Sequence, residues 1–153
     1  MEIDGNGWQM LDREECLEFL ASAEVGRIAI STRALPLILP VCFFMDGEQI
    51  VISTDFGTAL DGSTRDAVVA FEADGPSSHS TVGWSVHVNG IARHVTDPHE
   101  IVRLVALRPC TRLHPQQLIS ISTDQLAGRS AFDADEPSDA GPLAGFSPVS
   151  PAR

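Results

Sequence analysis

The chain of 153 residues contains no lysine and no tyrosine, so all ten of its basic residues are arginine. Its 21 Asp and Glu residues give a formal net charge of −11 when histidine is neutral. Proteins that bind nucleic acid or anionic membranes rely on clustered Lys and Arg to neutralise phosphate groups. The charge balance therefore argues against nucleic acid and membranes as main partners.

Long hydrophobic runs and paired cysteines are also missing. The longest apolar run, Leu35 to Met45, is interrupted by two prolines and is too short to span a bilayer. The first residues lack the basic and apolar regions of a secretory signal peptide. Cys16, Cys42 and Cys110 are an odd number of cysteines with no CxxC pair. These absences predict a reduced, cytoplasmic protein.

Alternation of apolar residues predicts six short strands. They are expected at residues 27–31, 35–44, 50–52, 67–73, 84–95 and 117–122. Asp46-Gly47 is typical of the tight turn that would join the second strand to the third. Pro36 and Pro40 indicate that the second strand lies at an edge or a bulge, because proline donates no hydrogen bond to a sheet.

Two capping patterns predict two helices. Asp12 and Glu15 have the spacing of a capping box, and the helix that they open is expected to end at Gly26. Asp97-Pro98 is expected to open a second helix that runs to about Leu107. Six strands with hairpin turns and two helices predict a small antiparallel barrel with the helices packed outside.

The two ends of the chain differ from its middle. Residues 1–10 contain one strong apolar anchor, Trp8, and predict a flexible N-terminal arm. Residues 131–153 contain four Pro, four acidic residues and few apolar anchors, which predicts a disordered acidic, Pro-rich tail. One domain over residues 11–130 remains between them.

No familiar catalytic or metal-binding pattern is present. The five histidines show no HxH, HExxH or Cys–His spacing, so we expect no metal site. The GxSxG elbow of serine hydrolases is absent as well. Cys16 and Cys42 are interpreted as small core residues. These patterns leave the catalytic residues unknown.

Two segments indicate a ligand site, although each has a plainer explanation. The loop from Ser53 to Thr58 leaves a strand end with several hydroxyls and a glycine, which suits a phosphate group but is also common in polar loops. Gly83-Trp84-Ser85 enters a strand, where Trp84 either contacts a ligand or anchors the core. Both interpretations stay open on these residues alone.

Taken in order, a set of segments resembles the flavin-binding split-barrel proteins related to pyridoxamine 5′-phosphate oxidase, in the short bacterial branch that also contains nitroimidazole-resistance proteins. The matching segments are Leu11–Cys16, Val25–Ala29, Leu37–Val41, Ile52–Thr54, Gly57–Leu60, Ala70–Asp74, Gly83–Gly90 and Leu126–Arg129. The resemblance covers about residues 11–129 and rests on the ordered set.

This resemblance implies a mainly β fold, a six-stranded antiparallel split barrel with flanking helices, that forms a homodimer. It also implies an oxidoreductase that binds FMN at the dimer interface and transfers hydride to an unknown small molecule. The implied cofactor-binding residues are Leu39, Pro40 and Val41 along the isoalloxazine edge, Ser53, Thr54, Gly57, Thr58 and Ala59 at the phosphate and ribityl loop, and Trp84 and Ser85 on the neighbouring strand.

The chain departs from the family at the phosphate loop. Where the family often has an Arg this chain has Ser53, and where it usually has a Lys this chain has Ala59. Arg65 or Arg27 could reach the phosphate instead, from the same or the second protomer. Two alternatives to FMN therefore stay open: a reductase that uses the deazaflavin coenzyme F-420, or a dimeric non-catalytic binding protein that has lost the flavin.

Overall fold

Strands dominate the structure, a computed structural model that describes residues 2–3, 8–77, 83–108 and 116–131. The strands are β1 (Glu2–Ile3), β2 (Trp8–Leu11), β3 (Val25–Thr32), β4 (Leu35–Asp46), β5 (Gln49–Thr54), β6 (Ala67–Gly75), β7 (Trp84–His94), β8 (Gln117–Ile121) and β9 (Gln125–Ala131). The helices are α1 (Arg13–Ser22), α2 (Ala59–Ser63) and α3 (Pro98–Leu107). None of these helices is long and apolar enough to cross a membrane.

Six of the strands close into an antiparallel barrel. Their order around the barrel is β3-β4-β5-β8-β7-β6, and the pairing of β6 with β3 completes the ring. Each strand predicted from apolar alternation is one of these six. The predicted six-stranded antiparallel barrel with flanking helices is confirmed.

Strand β7 closes the barrel and also carries the rest of the sheet. Its first half pairs with β9, and its last residues, Ala92 to His94, pair with β8. Gly90 lies at the change of partner, where a Cβ atom would collide with the carbonyl oxygen of Ser122. Only glycine allows the two backbones to approach this closely.

The N-terminal residues extend the sheet beyond β9. Trp8–Leu11 pairs with β9, and the Arg129 guanidinium carbon lies 4.8 Å from the centre of the Trp8 ring. Residues 8–10 of the predicted arm are therefore part of the sheet, and a strand of four residues is too short for its periodicity to be recognised. The tail predicted over 131–153 lies outside the described residues, apart from Ala131 at the end of β9.

The core fills the barrel with apolar side chains from all six barrel strands. Phe43 and Phe71 meet edge to face, with their ring centroids 4.9 Å apart. Helix α1 packs against this cluster through Leu20 and Cys16, which are 0% and 1% exposed. Burial is the main cause that raises the pKa of the Cys16 thiol above its ordinary value. The prediction that Cys16 is a core residue is confirmed.

Helix α1 begins as predicted but ends earlier. Both hydrogen bonds of the capping box between Asp12 and Glu15 are present, at 2.8 and 2.9 Å. The helix ends at Ser22, and Gly26 lies inside β3 instead of ending the helix. Glycine is needed there because a Cβ atom would lie 2.8 Å from the carbonyl oxygen of Glu72 on β6.

Helix α3 has the bounds that its capping pattern predicts. Its Leu104 side chain is buried against a second apolar cluster formed with Val51, Val95 and Leu118. Arg103, on the same helix, donates two hydrogen bonds to the carboxylate of Asp46 at 2.7 and 2.8 Å. This bidentate contact ties α3 to the hairpin between β4 and β5.

Candidate functional site

A cleft opens where strands β4 and β5 part. Their ladder ends at the pair Phe43 and Ile52, while β4 continues away from β5 over Leu35–Cys42. That segment pairs with β3 along one edge, and its second edge pairs with no strand in the described part of the chain. The cleft beside it has a volume of about 500 Å³, which lies in the range of small-molecule sites. Pro36 and Pro40 lie on this edge segment, as predicted.

Two chemically different walls line the cleft. The first wall is apolar except for a thiol, and the second carries hydroxyl groups, an amide and a carboxylate. The first wall consists of Val25, Leu37, Leu39, Pro40, Val41 and Cys42. The second consists of Ser53, Thr54, Asp55, Thr58, Ala59, Leu60 and Gln116. The cleft thus brings together all the predicted cofactor residues except Gly57, Trp84 and Ser85.

The hydroxyl of Thr58 organises the second wall. Thr58 is the N-cap of α2, and its oxygen accepts the backbone N–H of Asp61 at 3.1 Å. The same oxygen lies 2.9 Å from the hydroxyl of Thr54 and 3.0 Å from the carbonyl oxygen of Asp55. These contacts connect the end of β5, the loop and the start of α2, with two hydroxyl groups at the cleft.

A buried carboxylate supports the same loop from behind. Asp61 is 4% exposed, and its Oδ2 atom accepts the backbone N–H of Gly57 at 2.8 Å. Its Oδ1 atom has no hydrogen-bond partner and lies 3.6 Å from Nε2 of His94. Gly57 is not among the residues that line the cleft, and its N–H is directed to Asp61 instead. Its φ of +76° explains why glycine is present.

Trp84 and Ser85 do not line the cleft. Trp84 is 8% exposed and stacks on Phe19 of α1, with ring centroids 4.9 Å apart and an interplanar angle of 30°. The alternation of β7 places Ser85 on the opposite face, in register with Asp74 and Arg129. The structure therefore does not bring these two predicted residues to the cleft, and Trp84 has the position that its interpretation as a core anchor predicts.

The described residues of the second wall include one carboxylate and no cation. Asp55 is a carboxylate at the cleft, and no Arg or His is among the described lining residues. Arg27 contacts Asp74 at 2.7 Å and Glu72 at 2.9 Å, and the hydrogen bond that it donates to Asp74 is the main cause that raises the Arg27 pKa. Arg65 is exposed and lies 3.5 Å from Asp61. Neither arginine lines the cleft, so the expectation that one of them reaches a phosphate there has no support.

Six residues that line the cleft were not among the predicted cofactor residues: Val25, Leu37, Cys42, Asp55, Leu60 and Gln116. Cys42 is exposed and lines the cleft, so its prediction as a core residue is wrong. The alternation of β4, with Phe43 buried, could have indicated that Cys42 faces outward. Gln116 has no sequence signal of its own, and it reaches the cleft because the next residue, Gln117, pairs with Thr54.

Gln116 links the cleft to an arginine. Its Nε2 donates to Oδ1 of Asp55 at 3.0 Å, and its Oε1 accepts from Nη1 of Arg108 at 3.3 Å. Arg108 directly follows α3. No group of three or more His, Cys, Asp or Glu side chains with the geometry of a metal site occurs within the residues that the structure describes.

Comparison with known proteins identifies the family. Residues 12–130 match the family model described as pyridoxamine 5′-phosphate oxidase. The chain belongs to the pyridoxamine 5′-phosphate oxidase family. Every residue that lines the cleft falls within the matched span. The resemblance drawn from the ordered segments is therefore confirmed.

Individual proteins resemble the chain in sequence or in fold. The uncharacterized protein Rv0080 of Mycobacterium tuberculosis is 33% identical over 118 residues, which cover 74% of each chain. The FAD binding protein from Mycobacterium smegmatis has a TM-score of 0.63 and 27% identity, over 80% of this chain and 96% of that one. An FAD-binding protein from Mesorhizobium loti has a TM-score of 0.66 over 82% and 99%, at 20% identity, and supports the fold alone.

Proposed function

We propose that this protein binds a flavin, FMN, in the cleft between β4 and the β5–α2 loop, and that it is an oxidoreductase acting on a small molecule. The observation that carries the proposal is the opposition of an apolar strand edge to a loop rich in hydroxyl groups within one cleft. Membership of the pyridoxamine 5′-phosphate oxidase family and the likeness to an FAD binding protein support a flavin.

The residues of the cleft fit most of a flavin. Leu39–Val41 offers an apolar surface for the flat ring system, and the hydroxyls of Ser53, Thr54 and Thr58 can hydrogen-bond to a ribityl chain. The phosphate end fits less completely, because the described lining residues include Asp55 but no cation.

A bound flavin would supply the hydride or electron transfer, and the protein would supply binding, orientation and exclusion of water. The apolar wall would keep water from one side of the ligand. The Thr54–Thr58 network would present its hydroxyls in a fixed arrangement, so little order is lost when a ligand binds.

We further propose that a second copy of the chain covers the free edge of β4, forming a homodimer. Leu35, Ile38 and Val25 are 70%, 67% and 51% exposed on this edge and its neighbour. Leu35 and Ile38 lie on the same strand segment as Leu37 of the first cleft wall, and Val25 belongs to that wall itself. An exposed apolar edge strand is a surface that folded proteins normally cover.

Absorption spectroscopy tests the flavin. The purified protein is incubated with FMN, FAD or coenzyme F-420, freed of unbound ligand by gel filtration, and its visible spectrum is recorded. We expect a retained flavin spectrum with FMN. Ala59→Glu, which adds a charge and bulk in the cleft, should weaken FMN binding about tenfold or more, whereas Val68→Glu at an exposed position of β6 should not.

Each of the other outcomes has a definite meaning. Retention of F-420 alone would replace FMN by the deazaflavin, and retention of FAD alone would contradict FMN as the cofactor. A protein that retains none of the three would contradict the oxidoreductase and leave the non-catalytic binding protein.

Sedimentation velocity tests the dimer. We expect a dimer for the unaltered chain and for Val68→Glu, and a monomer for Ile38→Glu, because a charge at Ile38 would be buried in the contact. Val68 is a matched control, since it is also an apolar strand residue and is 76% exposed. A monomeric unaltered chain, or identical behaviour of the two variants, would contradict the dimer.

A further inference from the structure

We propose that Arg108 supplies the positive charge for the phosphate group of the flavin, with Gln116 holding its guanidinium beside the β5–α2 loop. This inference rests on the proposed function. It assigns a ligand-binding role to a residue that lies outside the lining of the cleft and after the end of α3.

The cleft creates a need for such a charge. A phosphate monoester carries about −1.5 to −2 charge at pH 7. The loop that would receive it offers the neutral hydroxyls of Ser53, Thr54 and Thr58, and the carboxylates of Asp55 and Asp61 add negative charge. Hydrogen bonds from a cation to a phosphate are about twice as strong as those from neutral donors. A cation near the loop would therefore strengthen the binding of the phosphate group considerably.

Arg108 is connected to the loop by two hydrogen bonds. Its Nη1 donates to Oε1 of Gln116 at 3.3 Å, and Nε2 of Gln116 donates to Oδ1 of Asp55 at 3.0 Å. Gln116 and Asp55 both line the cleft. The amide of Gln116 thus fixes the guanidinium on one side and the first residue of the loop on the other.

The guanidinium of Arg108 has donors to spare. Its Nε is buried without a hydrogen-bond partner, and its one hydrogen bond in the described structure goes to a neutral amide. No carboxylate among the described residues lies within 4.0 Å of it. A guanidinium carries five N–H donors, and a buried unsatisfied donor is unfavourable until it finds an acceptor. A phosphate is the acceptor that suits its fork-shaped geometry.

The other arginines of the described chain are engaged elsewhere. Five of them have carboxylate partners within 4.0 Å, and a sixth lies over an aromatic ring. They are Arg13 with Glu48, Arg27 with Glu72 and Asp74, Arg65 with Asp61, Arg93 with Asp66, Arg103 with Asp46, and Arg129 over Trp8. Arg33, in the turn between β3 and β4, makes no hydrogen bond to a described residue of the cleft. Arg108 is thus the candidate that the hydrogen bonds connect to the site.

The affinities for FMN and riboflavin test the proposal, because the two ligands differ only by the phosphate. Both dissociation constants are measured by fluorescence titration for the unaltered protein, Arg108→Gln and Arg108→Lys. We expect Arg108→Gln to weaken FMN binding about tenfold and to leave riboflavin binding unchanged. Arg108→Lys should restore part of the FMN affinity, since it restores the charge but not the fork.

Arg103→Gln is the matched control. It removes the same charge from a neighbouring exposed arginine, so it should leave the ratio of the two affinities unchanged. The FMN affinity of the unaltered protein should also fall more steeply with added salt than that of Arg108→Gln. Thermal melting of each variant verifies that it is folded.

The outcomes separate the two proposals. Equal weakening of FMN and riboflavin in Arg108→Gln, or no change in either, would overturn the role of Arg108 and leave the flavin site standing. If the unaltered protein binds neither FMN nor riboflavin, the proposed function fails and the role of Arg108 fails with it.

Discussion

The carboxylate of Asp61 accepts the backbone N–H of Gly57 at 2.8 Å, on the buried side of the loop whose outer side lines the cleft. The N–H of Gly57 therefore already donates to a carboxylate within the protein, so it is not available to a ligand in the cleft. Asp61 belongs to the support of the loop, and its second oxygen stays close to His94 without a hydrogen bond.

Asp61→Ala should destabilise the protein. It removes the acceptor of the Gly57 N–H inside the structure, and the expected loss in the free energy of unfolding is about 2 kcal/mol. Asp61→Asn keeps an oxygen acceptor of the same shape and should lose less. Urea unfolding of both variants gives the comparison. Equal stability of Asp61→Ala and the unaltered chain would show that the contact with Gly57 contributes nothing.

Trp84→Phe should affect stability and not ligand binding. The change reduces the area that stacks on Phe19 and should lower the free energy of unfolding. The decrease should be smaller than the loss of about 3–5 kcal/mol that is typical when a buried Trp is truncated to Ala. The dissociation constant for FMN should stay the same because Trp84 lies outside the cleft. Ala59→Glu should show the reverse pattern. If Trp84→Phe lost much of its FMN affinity while its stability stayed the same, Trp84 would have a role in ligand binding.

Gly90→Ala should destabilise the barrel by about 1–3 kcal/mol. The added methyl group would collide with the carbonyl oxygen of Ser122, where β7 changes partner. Gly62→Ala is the matched control, because no atom outside its chain neighbours and the backbone of α2 lies within 4 Å of its Cβ position. It should be neutral or stabilising, since alanine favours helix. Chemical denaturation of both variants measures the difference, and equal losses would contradict a specific role of Gly90.

The ion pair of Asp46 with Arg103 should stabilise the protein in a pH-dependent way. Hydrogen bonds from Arg103 hold the pKa of Asp46 below its ordinary value. The pair therefore stabilises the protein fully above about pH 4, which is the ordinary pKa of an aspartate. The stabilisation is lost as the pH falls through the lower pKa that Asp46 has in the folded protein. Asp46→Asn should melt at a lower temperature than the unaltered chain at pH 7.

The difference in melting temperature between Asp46→Asn and the unaltered chain should shrink as the pH is lowered below about 4. Asp66→Asn serves as the control, because this 85% exposed carboxylate lies 3.8 Å from Arg93 and should matter less at pH 7. A difference that is constant with pH would exclude the charge of Asp46 as its cause.

The barrel strands were predictable because burial on one face leaves a clear alternation, as at Ile28 and Ile30. The helix starts were predictable because capping is local: Asp12 and Asp97 act on residues two or three positions away. Helix α2 was missed because its five residues, Ala59–Ser63, are too few to show a helical period.

The site was only partly predictable, since it depends on where strands part. The sequence places hydroxyls at Ser53 and Thr54, but their position opposite β4 follows from the end of the β4–β5 ladder. Trp84 carried the same signal for a ligand wall as for a core anchor, and only its contact with Phe19 distinguishes them. Gln116 and Arg108 are polar residues without periodic neighbours, so no pattern singles them out.

The cleft and the uncovered edge of β4 both arise where β4 parts from β5. The ligand and the second protomer would therefore bind at adjacent places. Binding at one is then thermodynamically coupled to binding at the other, and the coupling is reciprocal. If FMN changes the association constant of two protomers by some factor, association must change the affinity for FMN by the same factor. Where association strengthens FMN binding, dilution would release ligand, and the measured affinity would depend on the concentration of the protein itself.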